Sequence, residues 1–178
     1  MARREVSRGV WYADEPLVVV GRDELDTLRS DVEASPLKRV RLCLHRDIEA
    51  RLHEMFIVLS RATYIRPHRH IGKSESMLVL SGEADAVFFD EAGAIASVVR
   101  LGDYRSTHPF FYRIDQPVYH GLLIRTDVFV YEEATSGPLV PSDSEFAAWA
   151  PPEANAEAAR AYVTNLAEQV EARWLNHR

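Results

Sequence analysis

Three side chains able to donate a lone pair crowd into one short stretch, Arg66-Pro67-His68-Arg69-His70-Ile71-Gly72-Lys73-Ser74-Glu75. If the run around His68 and His70 is extended, the two-residue period of a strand sets both imidazoles on one face. Gly72 lets the short connection from Ile71 to Ser74 turn, which brings the Glu75 carboxylate back beside the two rings. A fourth ligand has to come from a distant part of the chain. The best candidate is His120, which follows Gln116-Pro117-Val118-Tyr119 and leads into the apolar run Leu122-Leu123-Ile124. Three imidazoles and a carboxylate suit one divalent transition-metal ion such as zinc, iron, nickel or manganese, with positions left open if the ion takes five or six ligands. The bland alternative is an ion-free cluster whose histidines hydrogen-bond one another.

The spacing His-x-His, four residues, Glu, six residues, Gly falls at His68, His70, Glu75 and Gly82, and it resembles the first motif of the cupins. In the second cupin motif the histidine corresponds to His120, whereas Asp115, Pro117 and Ile124 replace that motif's Pro, Gly and Asn. Ala62 stands where the first motif opens with Gly. Read more widely, Arg39 to His45, Arg66 to His70, Lys73 to Ser76, Pro109 to Arg113 and Trp149 to Pro151 together look like the WbuC-type cupin-fold metalloproteins, over residues 23–151. That resemblance implies a double-stranded β-helix, or cupin jelly roll, holding a metal through His68, His70, Glu75 and His120. It also implies a bacterial protein associated with O-antigen and other surface-polysaccharide gene clusters. It supplies no reaction.

The elements that must position these residues have their own signals. Leu25, Leu28 and Val32 recur at helical spacing behind Asp23, which can cap a helix that Ser35-Pro36 ends. From Arg39 the period becomes two: Val40, Leu42 and Leu44 alternate with Arg41, Cys43 and His45, giving one apolar and one mixed face. Short strands then follow at regular spacing over 54–62, 63–70, 76–80, 83–89, 94–100, 112–114, 120–125 and 128–134, the pattern of a sandwich or closed barrel. Residues 141–149 have little periodicity and are expected to wrap across the barrel. Pro151-Pro152-Glu153 is expected to open a C-terminal helix whose stripe of Ala159, Tyr162, Val163, Leu166, Val170 and Trp174 needs burial. Its own barrel or a second copy of the chain, as a homodimer, can supply that. The expected organisation is an N-terminal arm and helix over 1–38, a cupin domain over 39–150 and a C-terminal helix over 151–178.

The chain has 178 residues, a length at which a single domain buries on the order of 70% of the surface its unfolded chain exposes. Its one cysteine, Cys43, cannot form an internal disulfide, and neither the charged Met1 to Arg8 nor the short Leu17 to Val20 reads as a signal peptide or span. A cytoplasmic protein is expected. Twenty-one Lys and Arg against twenty-seven Asp and Glu give a net charge of −6, which argues against nucleic acid or an anionic membrane as partner and leaves a small molecule.

Four further residues are candidates for contact with that molecule. His45 lies on the mixed face of its strand, Tyr64 and Arg66 share the parity of His68 and His70, and Tyr112 precedes the third histidine. The catalytic base is not named by any motif. His53 sits in a charged turn and is expected in solvent, His108 is expected near the barrel mouth, and His177 is expected to be uninvolved. A metal site of this kind fits a small-molecule enzyme acting on a sugar-derived or carbonyl substrate, isomerase-, epimerase- or dioxygenase-like. It also fits a ligand-binding or regulatory module without catalysis.

Overall fold

The alternating runs become strands of two facing sheets in a computed structural model that describes residues 1–176. An N-terminal hairpin of β1 (Arg3–Ser7) and β2 (Val10–Ala13) precedes helix α1 (Arg22–Val32). Then come β3 (Arg39–Cys43), β4 (Leu52–Ser60), β5 (His68–His70), β6 (Glu75–Ser81), β7 (Ala84–Phe89) and β8 (Ile95–Leu101). The set closes with β9 (Phe111–Ile114), β10 (Tyr119–Ile124), β11 (Val128–Ser136), β12 (Ser144–Phe146) and helix α2 (Ala156–Asn176).

One sheet runs β1-β2-β3-β4-β11-β6-β9 and the other β12-β5-β10-β7-β8. The pairings are antiparallel except that β2 lies parallel to β3. The chain changes sheet at each step from β4 to β7 and again from β8 to β11, which is the path of a double-stranded β-helix.

The central strands of each sheet are covered on both faces. Between them Met55, Ile57, Met77, Val79, Ala84, Ala86, Leu101, Phe129 and Tyr131 form the inner core. Outside the first sheet, Leu28 and Val32 of α1 close over Val40, Leu42, Val58 and Val130. Outside the second, Leu166 and Val170 of α2 close over Val87, Phe89, Tyr119 and Leu123. The stripe on α2 is therefore covered by the chain's own barrel. Asp85, fully buried on that outer face, accepts from Arg100 Nε at 2.7 Å and Arg125 Nε at 2.5 Å. Glu171 of α2 receives Arg125 Nη1 at 2.9 Å, so the helix is latched to the sheet by charge as well as by apolar area.

Several local expectations change. Helix α1 begins one residue before Asp23, with Gly21 at the cap and the Glu24 carboxylate accepting the Gly21 N–H at 2.9 Å. Helix α2 begins at Ala156 rather than at the prolines, because the Asn155 side-chain oxygen accepts the Ala158 N–H at 3.1 Å. The N-terminal arm is a hairpin that extends the larger sheet through β2. The stretch from Thr63 to Pro67 is not a strand, so β5 is only three residues long. Gly82 explains its place in the motif: its φ is +88°, and a β-carbon there would sit 2.5 Å from the Val128 carbonyl oxygen.

Candidate metal centre

β5 presents His68 and His70 to the barrel interior, and the antiparallel register sets His120 of β10 directly opposite His68. One ring nitrogen from each of His68, His70 and His120 lies within 4.8 Å of the others. Glu75, the first residue of β6, faces them from the other sheet: its Oε2 is 3.1 Å from His70 Nε2 and its Oε1 3.2 Å from His120 Nε2. The turn that returns the chain from β5 to β6 uses Gly72 at φ +68°.

The far side of each ring is held. A carbonyl oxygen can only accept, so His68 Nδ1–H donates to Arg66 O at 3.0 Å and His120 Nδ1–H to Val118 O at 2.9 Å. His70 Nδ1 lies 3.1 Å from the Ser144 hydroxyl. With the Nδ1 atoms occupied outward, the Nε2 atoms are left for the interior. This is how a histidine is set up to bind metal, its tautomer and ring plane fixed by the second nitrogen. The donor set, imidazole nitrogen with one carboxylate, fits a divalent first-row ion.

Burial pushes the His68 ring down to about 4, helped by the neighbouring His120, so it is neutral and has a free lone pair at physiological pH. Burial pushes the Glu75 carboxyl up, but hydrogen bonds from His120 and His70 outweigh it and hold the group well below the usual carboxylate range. His120 shows the reciprocal effect: burial lowers it, and the Glu75 hydrogen bond and charge raise it above the ordinary imidazole value. With both ring nitrogens of His120 facing acceptors, a proton on Nε2 occupies the place a cation would take.

The structure thus brings His68, His70, Glu75 and His120 together. Tyr112 joins them, its hydroxyl donating to Glu75 Oε1 at 3.3 Å, while burial drives its pKa well above the ordinary phenol value. Tyr64 and Arg66 do not join. Without a strand before His68 their parity carries no meaning; Tyr64 donates to Pro151 O at 2.9 Å and Arg66 to Ala147 O at 2.7 Å, tying the 147–151 segment to the barrel. His45 is on the inner wall but stacks on His53 at 4.0 Å and stands edge-on to Tyr12, outside the cluster. His53 is buried in β4 rather than solvated. His108 lines a separate cavity of about 470 Å³ with Val98, Val99, Arg100 and Trp174, not the mouth beside His120. His177 lies outside the described residues.

Two participants had no motif. Ser144 reaches His70 because β12 pairs with β5, a contact across 74 residues of chain. Glu133 lies on the inner wall with Phe129 and Tyr131, whose shared parity in β11 is the one signal that could have placed it there. Burial, then the Glu75 charge, raises its carboxyl to about 8, against a lowering by Arg41.

Strand path, register and the inward histidine cluster define a cupin-type jelly roll with a candidate metal centre. A family described only as a domain of unknown function, DUF6016, matches residues 20–101. No curated protein matches the sequence. Among solved structures, a Shewanella oneidensis protein aligns at 12% identity with a TM-score of 0.49, over 60% of this chain and 72% of that one. The L-ribose isomerase of Cellulomonas parahominis aligns at 16% identity and 0.48, over 62% of this chain and 70% of that one. Bacillus subtilis oxalate decarboxylase aligns at 14% identity and 0.44, covering 56% of this chain and 24% of the decarboxylase. No helix among the described residues is long and apolar enough to cross a membrane.

Proposed function

We propose that this chain is a metal-dependent cupin enzyme of the WbuC type, acting on a small sugar-derived or carbonyl substrate in bacterial surface-polysaccharide metabolism. The observation that carries the reading is the cluster itself: three ring nitrogens within 4.8 Å of one another inside a β barrel, with the outer nitrogen of each ring already engaged. His68, His70, His120 and Glu75 would hold a divalent ion, which would supply Lewis-acid chemistry at that point of the barrel.

The chain's own groups supply the rest. Tyr112 steadies the Glu75 carboxylate through its hydroxyl and, with a raised pKa, stays a donor across the physiological range. Met55, Ile57, Met77 and Val79 line the wall between the sheets and keep bulk water from a reacting centre. Glu133 stands among them as a carboxyl able to accept or return a proton. Such groups serve proton transfer beside a carbonyl, an isomerase- or epimerase-like reaction.

The test loads chelator-stripped protein separately with zinc, nickel, manganese and iron. Each form is incubated with aldoses, ketoses and diketones in deuterated water, and solvent deuterium entering carbon next to the carbonyl is followed by NMR. The expected result is metal-dependent exchange that His68→Ala and His120→Ala abolish together with one equivalent of bound metal. Metal uptake and tight substrate binding with no exchange or turnover under any metal would leave a ligand-binding protein and refute the enzyme.

A further inference from the structure

A cavity of about 470 Å³ lies at the free edge of the second sheet, and none of the residues that line it belongs to the histidine cluster. Its walls are Val98 and Arg100 of β8, His108 and Pro109 of the loop from β8 to β9, and Glu171 and Trp174 from the last turns of α2. The volume falls within the range of about 300–1,000 Å³ usual for small-molecule sites.

The walls are fastened in place. Arg173 donates to the carbonyl oxygens of Ile95 and Ala96 at 3.2 and 2.8 Å, which pins the last turns of α2 onto β8. Across the cavity the loop is braced within itself: the Gly102 N–H donates to Pro109 O at 3.0 Å and the His108 N–H to the Ser106 hydroxyl at 3.2 Å. The cavity therefore belongs to the fold, and a ligand entering it has little chain to order.

Two features of the walls say what such a ligand carries. The Trp174 indole Nε1–H is buried and has no acceptor among the described residues. An indole nitrogen can only donate, and a buried donor left unpaired is rare in a folded protein. The charges around the cavity, by contrast, cancel. Asp85 takes Arg100 Nε at 2.7 Å and Arg100 Nη2 at 3.2 Å, while Arg125 reaches Asp85 at 2.5 Å and Glu171 at 2.9 Å. Two guanidinium groups thus face two carboxylates, and the Arg100 guanidinium lies 5.5 Å from the centre of the Trp174 ring. An anion would lose its water here without a free counter-charge, and a pure hydrocarbon would leave the indole N–H unpaired.

We infer that this cavity is a second binding site, for a neutral aromatic molecule bearing a carbonyl oxygen, an aromatic ketone in chemical class. Its ring lies against Val98 and Pro109, and its oxygen accepts from Trp174 Nε1–H. The site is separate from the metal centre and stands whether or not that centre is catalytic.

Equilibrium dialysis of the full chain tests it with three probes of one skeleton: 2-acetylnaphthalene, 2-ethylnaphthalene, which lacks the acceptor, and 2-naphthoate, which adds a charge. The ketone is expected to bind about 2- to 12-fold more tightly than the hydrocarbon, the net worth of one neutral hydrogen bond, and more tightly than the acid. Trp174→Phe keeps a ring and removes the donor, so it is expected to erase the ketone's advantage with zinc stoichiometry unaltered. Val98→Trp is expected to fill the cavity and abolish binding of both neutral probes. Zinc-loaded and metal-stripped protein are expected to bind the ketone equally. The probe comparison on the unaltered protein does not depend on either variant folding. Equal affinity for ketone and hydrocarbon, a ketone advantage that persists in Trp174→Phe, or no ketone uptake at its solubility limit overturns the inference.

Discussion

Ser144 offers the sharpest test of the metal centre, because it is the one ring anchor that a side-chain substitution can remove. The anchors of His68 and His120 are the backbone carbonyls of Arg66 and Val118, whereas His70 Nδ1 depends on the Ser144 hydroxyl at 3.1 Å. Ser144→Ala deletes that one bond and leaves all four candidate ligands in place. A neutral hydrogen bond is worth about 0.5–1.5 kcal/mol net, which at about 1.4 kcal/mol per decade is about 2- to 12-fold in affinity. Anchors of this kind in known metal sites are worth about 10- to 100-fold, since losing one also frees the ring to rotate and to change tautomer. About tenfold weaker metal binding is therefore expected, with the metal-free protein melting within about 2 °C of the unaltered one. The measurement is competition against a chromophoric chelator for zinc and for nickel, alongside thermal denaturation of the stripped protein. An affinity unchanged within twofold refutes the orienting role. A loss beyond about a hundredfold in a folded protein shows that the residue does more than hold His70.

Asp85→Ala removes a fully buried carboxylate and leaves Arg100 and Arg125, 28% and 21% exposed, facing each other without it. A loss of about 3–5 kcal/mol in urea denaturation is expected, and a loss below about 1 kcal/mol would show that Glu171 takes over the pair. Gly82→Ala forces a β-carbon to within 2.5 Å of the Val128 carbonyl oxygen at φ +88°. It should cost more than about 2 kcal/mol, read from the shift of the same denaturation curve. In the metal-free protein, Glu133 holds its proton in the folded state up to about pH 8, against an ordinary carboxyl value near 4.5. Between those values the folded state binds the proton and the unfolded state does not, so this group's contribution to stability is full below the ordinary value, falls as pH rises, and levels off above about 8. Glu133→Gln should flatten that part of the pH profile, and a profile identical to the unaltered protein between pH 5 and 9 would show the carboxyl already ionised.

What the sequence by itself determined was whatever local geometry controls. A period of two sets His68 and His70 on one face, and a glycine turn returns Glu75 beside them, whereas the reason for glycine at position 82, the Val128 carbonyl that a β-carbon would strike, came only with the packing. The run of short alternating segments is enough for a two-sheet barrel, because each segment has to bury its apolar side against something. The mixed face of β3 shows where such reasoning stops. Val40 and Leu42 alternate with Arg41 and Cys43, and alternation alone says only that the two sets face opposite ways. Helix α1 lies outside and buries the apolar set, which turns Arg41 and Cys43 inward. Tertiary structure likewise decided that Ser144 anchors His70 and that Tyr64 and Arg66 face the C-terminal segment. Those assignments depend on pairings across tens of residues and on a backbone that leaves strand geometry just before His68. A side chain's periodicity is fixed within its own strand, but what stands opposite it is set by the whole chain's packing.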